Sequence, residues 1–460
     1  MTPRTWCSYT ITIFLTGLIS VGYGAVDLVM VAHKGAPAIA AVGLGEIIAG
    51  ALFALLGLGI VDSLSAHIAS EEGCNNLENK INIFLGAMVV LLIPATALGL
   101  LIASTLEPIL QLFVQDDDIV TLTSHYTWIR LISLPIAIVF MLFAESLKIC
   151  GLKSWSLLLL IVGFGANAAL NGLVLYTPLE TIFPSPLAAI STTTTIVQIC
   201  NTILAGWVLY KSLKQRKTDF RKPSWTEIYD ESATIGKSAP GIGIRHFNDY
   251  IGTIAVIFLL GTFGVETLAA VTVATKIWSL YCRIPQACVS GTFVFYAYAI
   301  RRSEKYSGKA DLRETAQRLL RYAMIPTYLG ALILAFYSPL FISIFASDSL
   351  NKDLTRYLLL AFLITVPVYL IEKNYGEMLT VKGRGRVLAV GSSFSTYLIA
   401  IPLATIGTFW LESPVFVILA EGISSLVLAL IFHKSLQLCE FEENYFPRAS
   451  LSHNRLGNTE

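Results

Sequence analysis

The sequence predicts an all-α integral membrane protein in which twelve transmembrane helices form two pseudo-symmetric six-helix bundles. Of its 460 residues, 55% are hydrophobic and only 14% are charged, whereas soluble domains carry about 25% charged residues. Apolar stretches of roughly 20 residues, long enough to cross a bilayer, recur along the whole chain. Short motifs of the first half also recur in the second. We therefore expect lipid as the solvent and no soluble domain.

Polar, Pro and Gly breaks divide the apolar stretches into twelve predicted helices. In the first half they cover residues 7–31, 38–69, 81–104, 122–147, 154–176 and 187–210. In the second half they cover residues 238–261, 266–300, 318–346, 354–381, 387–409 and 413–434. The predicted organisation is a first lobe at 1–210, a cytoplasmic linker at 211–237, a second lobe at 238–434 and a cytoplasmic tail at 435–460.

Basic residues predict the orientation, because Lys and Arg concentrate in cytoplasmic loops. Most of the 32 Lys and Arg residues lie before the first helix, after even-numbered helices or in the tail, and they are densest in the linker. The opposite loops hold only Lys34, Lys352 and Arg356, and one of them carries the acidic run Asp116–Asp118. We expect both termini in the cytoplasm of a multi-pass cell-membrane protein. The compact chain with short tails favours a bacterial inner membrane.

An internal repeat relates the two halves. Gly35–Val42 follows helix one, and the similar Gly264–Val271 follows helix seven, at an offset of 229. Glu145–Gly151 ends helix four and parallels Glu377–Gly383 at the end of helix ten, at an offset of 232. Equivalent segments cross in the same direction, so the repeat axis lies along the membrane normal. A cleft between the lobes, open to one side at a time, is the expected substrate route.

Several other classes of protein are disfavoured by what the sequence lacks. The seven cysteines are scattered, with no Cys-x-x-Cys pair and no His at ligand spacing, so neither a disulfide framework nor a metal site or cofactor is expected. An intramembrane enzyme would need a catalytic constellation, and none is found at recognisable spacing. The chain is predicted not to be an enzyme and not to bind nucleic acid.

Four motifs along the membrane part identify a family resemblance. They are Asp27 followed by Gly35–Val42, the stretch Gly59–Gly73, Asn167–Tyr176 with Asn167 and Asn171, and the basic turns after helices four and ten. This ordered set resembles the multidrug and toxic compound extrusion family. The resemblance implies a secondary active exporter that exchanges Na⁺ or H⁺ for small organic molecules by alternating access. A cavity contained within two lobes of one chain needs no partner subunit, so a monomer is expected. A lipid-linked saccharide flippase of the same superfamily is the nearest alternative.

Charged residues at bilayer depth are costly, and they are the candidate functional groups. The resemblance places Asp27 beside Asn167 and Asn171, which lie one turn apart on one helix face. A carboxylate with amide oxygens could bind Na⁺, and a buried carboxylate could instead take up a proton. Hydroxyls of Ser191–Thr195 could join this site, or could bond within their own helix. Asp27, Asn167 and Asn171 are the predicted coupling site.

The second half holds further candidates. A second branch of the family has a carboxylate eight residues after a Pro in helix seven, where this chain has Asn248, with Asp249 next to it. Glu372 likewise lies one residue from the equivalent acid of helix ten. We predict Asn248, Asp249 and Glu372 as coupling or substrate residues.

Two bases of the second half, Arg245 and Lys276, are predicted to face a substrate that bears an anionic group. Arg245 and Asp249 are four residues apart, a spacing at which they could form an ion pair on one helix face. His67 and His246 are expected to be packing and hydrogen-bonding residues.

Overall fold

The computed structural model describes residues 3–31, 36–111, 117–216, 222–263, 265–306, 312–345 and 351–445, and these residues contain helices and turns but no strand. The helices of the first half are α1 (Pro3–Val31), α2 (Ala36–Phe53), α3 (Gly59–Glu72), α4 (Leu77–Gln111), α5 (Asp117–Ile132), α6 (Leu134–Ile149), α7 (Lys153–Leu175) and α8 (Pro186–Arg216). A π-helical turn, Ala54–Leu58, joins α2 to α3, and a 3₁₀ turn, Pro178–Ile182, follows α7.

The second half has the same helical character. Its helices are α9 (Trp225–Gly261), α10 (Val265–Tyr281), α11 (Arg283–Tyr306), α12 (Leu312–Phe345), α13 (Lys352–Val381), α14 (Gly385–Ser395), α15 (Ile401–Phe409) and α16 (Pro414–Tyr445). A second π-helical turn, Thr396–Ala400, joins α14 to α15. Each of the twelve predicted segments corresponds to one helix or one broken helix, which confirms the predicted architecture of two six-helix bundles.

The described helices have the length and apolarity that a bilayer requires. Eight described helical segments are long and apolar enough to cross a membrane, and α5 with α6, bent by 53°, makes a ninth if counted as one span. Segments α1, α9 and α10 with α11 complete the twelve. In α9 the charges between Trp225 and Asp249 explain why apolarity alone does not identify this helix.

The predicted spans two, four, eight and eleven are broken, and prolines explain two of the breaks. Pro135 lies in the first turn of α6, where its missing N–H costs nothing and starts a new helix. Pro285 lies in the first turn of α11 in the same way. A proline inside a continuous helix would remove a backbone hydrogen bond. Ending one helix and starting the next at these points avoids that cost. The apolar pattern alone predicted continuous helices there.

The largest described hydrophobic core joins the two halves near one face of the molecule. We call the face where α1 begins and α16 ends the terminal face. There one hydrophobic core contains residues of both halves, from Trp6 of α1 to Leu436 of α16. The other described core residues form separate clusters, one within the second half around Val271 and two within the first half, around Val42 and around Leu110. Among the described cores, only the one near the terminal face contains residues of both halves.

Backbone contact is very close where α9 meets the first half. A Cβ added at Gly59 of α3 would lie 2.0 Å from the carbonyl oxygen of Ala239, and one at Gly243 of α9 would lie 2.2 Å from that of Leu55. No side chain fits at either position. The two glycines allow the π-helical break of the first half to pack directly on α9, which places the charged part of α9 beside the interface.

Candidate functional site

Asp27 lies in the first half with its side chain almost fully buried, at 5% exposure. Asn171 Nδ2 donates a hydrogen bond of 2.7 Å to Asp27 Oδ1, and Asn167 Nδ2 donates one of 3.2 Å to the same oxygen. Both asparagines belong to α7 and are buried, and their spacing of four residues brings both amides to one face. The structure thus brings together the three residues of the predicted coupling site.

Two threonines of α8 complete this cluster. Thr194 Oγ1 lies 3.0 Å from Asn167 Oδ1, and Thr193 Oγ1 makes the equivalent contact with Asn171 Oδ1. Each hydroxyl also lies 2.8 Å from the carbonyl oxygen of Ile190 within α8. The threonines therefore make both of the contacts considered from the sequence, because they bond to their own helix and to the site. We call Asp27, Asn167, Asn171, Thr193 and Thr194 the first-half cluster.

The second half contains a set of buried charges between α9 and α13. Arg245 of α9 is 1% exposed, and its Nη1 lies 3.3 Å from Glu377 Oε1 of α13. Its Nη2 lies 4.0 Å from Glu372 Oε1, which is also on α13. Asp249 pairs with Lys373, so the predicted Arg245–Asp249 pair on one helix is replaced by pairs between helices. Arg245, predicted to face a substrate, is therefore buried and paired with two glutamates.

Lys373 is the second base of this region. Its Nζ lies 2.7 Å from Asp249 Oδ2 and 3.4 Å from Glu372 Oε2. The face of the Tyr369 ring lies 5.5 Å from the same Nζ. Asp249 and Glu372, two of the predicted second-half residues, therefore share one ammonium group.

The remaining predicted residues of the second half lie apart from these charges. Asn248 is buried and donates hydrogen bonds to Ser392 Oγ at 2.9 Å and Ser393 Oγ at 3.0 Å. It therefore links α9 to α14, a role that interhelical amides commonly have in membranes. Lys276 is exposed on α10, within electrostatic range of Glu46 on α2. Lys276 is the predicted substrate-facing base whose side chain stays exposed.

Three charged residues within the spans are not singled out by the sequence motifs: Glu46, Arg130 and Glu421. Arg130 of α5 lies within electrostatic range of both Asp27 and Glu46. Glu421 of α16 accepts a hydrogen bond of 3.5 Å from Thr253. All three charged residues interrupt apolar segments, and intramembrane charge was a sufficient signal to find them.

Polar and charged side chains also contact one another across the interface between the halves. Asp62 Oδ2 of α3 is 2.8 Å from His246 Nε2, and Glu71 Oε1 is 3.1 Å from Arg301 Nη2 of α11. His67 forms a third pair across the interface, with Glu231. Both histidines therefore join the two halves, which extends the packing role expected for them. These contacts must break if the two halves separate at this interface.

The described residues contain no cluster of the side chains that usually bind metal ions. No group of three or more His, Cys, Asp or Glu side chains among them could hold a metal ion. The described charges between the helices are arranged in ion pairs and hydrogen-bonded clusters, which is the arrangement by which buried charge is tolerated in a membrane.

A family model decides the classification. The MatE model matches residues 12–173 and, a second time, residues 242–406. The chain belongs to the MatE family. The two matched ranges begin 230 residues apart, in agreement with the repeat in the sequence. As a MatE protein the chain is a multi-pass membrane transporter of the multidrug and toxin extrusion type.

Curated relatives have the same character. Over 433 residues the chain is 24% identical to multidrug and toxin extrusion protein 1 of Xenopus tropicalis, covering 91% of this chain and 72% of that protein. Over 351 residues it is 22% identical to the probable multidrug resistance protein NorM of Photorhabdus laumondii, covering 74% of this chain and 73% of that one. Both relatives are named for drug or toxin extrusion.

Solved structures share the MatE fold. The eukaryotic MATE transporter AtDTX14 superposes with a TM-score of 0.76 at 13% identity, covering 95% of this chain and 96% of that chain. The Vibrio cholerae MATE transporter VcmN in its bent form gives 0.75 at 15% identity, with coverages of 96% and 98%. A transporter of the wider superfamily from Pyrococcus furiosus gives 0.71 at 16%, with coverages of 96% and 97%.

Proposed function

We propose that this MatE protein is a cation-coupled antiporter that exports small organic molecules and that Asp27 is its coupling residue. The observation that carries the proposal is the first-half cluster, in which one buried carboxylate is bonded to two amides. Arg130 lies within electrostatic range of Asp27, but among the described residues it forms no ion pair with it. A buried carboxylate without a paired base gains from binding a cation.

The threonines allow the first-half cluster to adopt two hydrogen-bond arrangements. In the first, the Thr193 and Thr194 hydroxyls donate to the amide oxygens, and the amide NH₂ groups donate to the ionised Asp27. In the second, each hydroxyl donates to the Ile190 carbonyl and accepts from an amide NH₂ group, which turns the amide oxygens towards Asp27. Amide and carboxylate oxygens are hard ligands that suit Na⁺. A proton on Asp27 Oδ2 leaves the first arrangement intact.

Coupling between cation binding and helix movement follows from the helices that the first-half cluster connects. Asp27 is on α1, the asparagines are on α7 and the threonines are on α8, so a change of charge at Asp27 alters the contacts among three helices. Helix α1 also reaches the second half, where Trp6 contacts Gly291 of α11 near the terminal face. A shift of α1 therefore changes its contacts with α11 at the interface that closes this face. We propose that cation binding and substrate release are linked through this helix.

The membrane setting of the proposed cycle follows from the charge distribution along the loops. With both termini in the cytoplasm, the terminal face is cytoplasmic. We propose a bacterial inner membrane as the location, and a monomer as the working unit. The proposal of a substrate with an anionic group rests on Lys276, since Arg245 is paired with glutamates.

Counterflow in proteoliposomes tests the function. The purified protein is reconstituted, an Na⁺ or H⁺ gradient is imposed, and the flux of a cationic dye and of a panel of organic acids is measured for wild type and Asp27→Asn. We expect gradient-driven flux in the wild type and a loss of at least about tenfold in the variant. Asp353→Asn, on the exposed first turn of α13, is the matched control and should transport normally.

Each outcome of the counterflow experiment has a distinct meaning. The gradient that drives flux names the coupling ion, and the transported compounds show whether an anionic group is needed. Undiminished transport by Asp27→Asn would overturn the role of the first-half cluster. Absence of coupled flux with every compound and both gradients would reject the antiporter in favour of a lipid-linked saccharide flippase, which lipid-linked oligosaccharide translocation would then test.

A further inference from the structure

The acidic side chains of the second half already hold a cation that belongs to the chain. Lys373 Nζ lies 2.7 Å from Asp249 Oδ2 on α9 and 3.4 Å from Glu372 Oε2, the neighbouring residue on α13. The Tyr369 ring, one turn earlier, faces the same ammonium at 5.5 Å. Two carboxylates and an aromatic face are the groups that bind a free monovalent cation or a primary ammonium.

A second observation is that one carboxylate oxygen of this cluster is available to bind a further cation. Glu372 is 2% exposed, yet its Oε1 makes no hydrogen bond, and its contact with Arg245 Nη2 is at 4.0 Å. A buried carboxylate oxygen without a hydrogen bond carries a desolvation cost that a closer cation would remove. Glu421 of α16 lies within electrostatic range of both Glu372 and Asp249. Asp249 itself keeps 39% of its side chain exposed, so neighbouring side chains do not seal the cluster completely.

We propose that Lys373 is a tethered cation that occupies the position between Asp249 and Glu372 and so excludes free metal cations from the second half. Its side chain cannot leave the protein, so this half has no exchangeable cation, and coupling is confined to the first-half cluster. This inference deepens the proposed function and rests on it for the role of carboxylates in cation binding. It assigns Lys373 as a residue that determines ion specificity.

The proposal predicts a gain of function. Replacing Lys373 by Met keeps the length of the side chain and removes its charge, which leaves two adjacent carboxylates without their shared partner. Na⁺ should then bind between them, since it can restore the lost neutralisation. A role limited to stability predicts only a weaker fold and no new ion binding.

Binding of ²²Na⁺ to the full-length purified protein tests the proposal in an Asp27→Asn background, which removes the first-half site. We expect no saturable binding to Asp27→Asn alone and about one Na⁺ per chain once Lys373→Met is added. Lys373→Arg in the same background should show no saturable Na⁺ binding, because it keeps a tethered cation. Lys352→Met, the same substitution at the exposed start of α13, is the control and should bind none.

Further arms of the experiment separate the possible failures. Saturable Na⁺ binding to Asp27→Asn alone that Asp249→Asn removes would overturn the proposal, because the position would be open with Lys373 in place. Absence of binding to the Lys373→Met variant would overturn it as well. If that variant is unstable, recovery of a monodisperse protein in NaCl but not in choline chloride supports the proposal, and equal instability in both salts refutes it. None of these readouts depends on transport, so the proposed antiport can fail separately.

Discussion

The two halves of this transporter share an architecture but differ in how their candidate functional carboxylates are neutralised. In the first half, one carboxylate, Asp27, is bonded to neutral amides and is supported by hydroxyls. In the second half, Arg245 and Lys373 are paired with acids from neighbouring helices. The repeat therefore conserves the positions of helices without conserving the chemistry between them.

This difference shows which half is suited to an exchangeable ion. A carboxylate bonded to amides can change its charge state at the cost of rearranging hydrogen bonds. A carboxylate paired with a buried base cannot lose its charge without leaving that base uncompensated. We infer that the first-half cluster is the mobile element of the coupling mechanism and that the second-half charges hold helices together.

The largest expected effect comes from breaking the second-half charges at Arg245. Arg245→Met leaves Glu377 and the buried Glu372 without their guanidinium, and removing one partner of a buried ion pair costs about 3–5 kcal/mol. Thermal unfolding in detergent should show a large loss of stability. Arg318→Met, which removes an exposed pair with Glu314, should cost less than about 0.5 kcal/mol. Equal stability of the two variants would contradict a structural role for Arg245.

A smaller effect is expected in the first half, and it should separate coupling from stability. Asn171→Ala removes the 2.7 Å donor to Asp27, which should cost about 1–3 kcal/mol of stability and most of the coupled flux. Asn167→Ala removes a longer bond and should be milder. Asn248→Ala is the matched control, because it removes a buried amide of the second half and should lower the unfolding temperature without uncoupling transport. Equal uncoupling by Asn248→Ala would contradict the distinction between the halves.

The smallest effect is expected at the interface that joins the halves. The Asp62–His246 pair is partly exposed, so it should contribute only about 0.2–1 kcal/mol. A double-mutant cycle with Asp62→Asn and His246→Gln, read out by thermal unfolding, measures this coupling energy. A value near zero would mean that Asp62 and His246 lie close together without stabilising the contact between the halves.

Much of the fold could be predicted from the sequence. Apolar length fixes how many segments cross a bilayer, and the repeated motifs fix their arrangement in two sets of six. The breaks at Ser133 and Cys282 were missed, because hydropathy is blind to a bend and the prolines that start α6 and α11 are compatible with an unbroken apolar segment. The family resemblance, together with helical spacing, was enough to predict that Asp27 lies beside Asn167 and Asn171.

The partners of the second-half charges were decided by tertiary structure alone. Spacing along one helix predicted an ion pair between Asp249 and Arg245, since residues four apart share a face. The positions of α9 and α13 in the bundle instead put Glu377 beside Arg245 and Lys373 beside Asp249. The sequence by itself determined that these charges lie within the membrane and must be neutralised. Which ones neutralise each other depends on distances between helices, and no periodicity within a single helix contains that information.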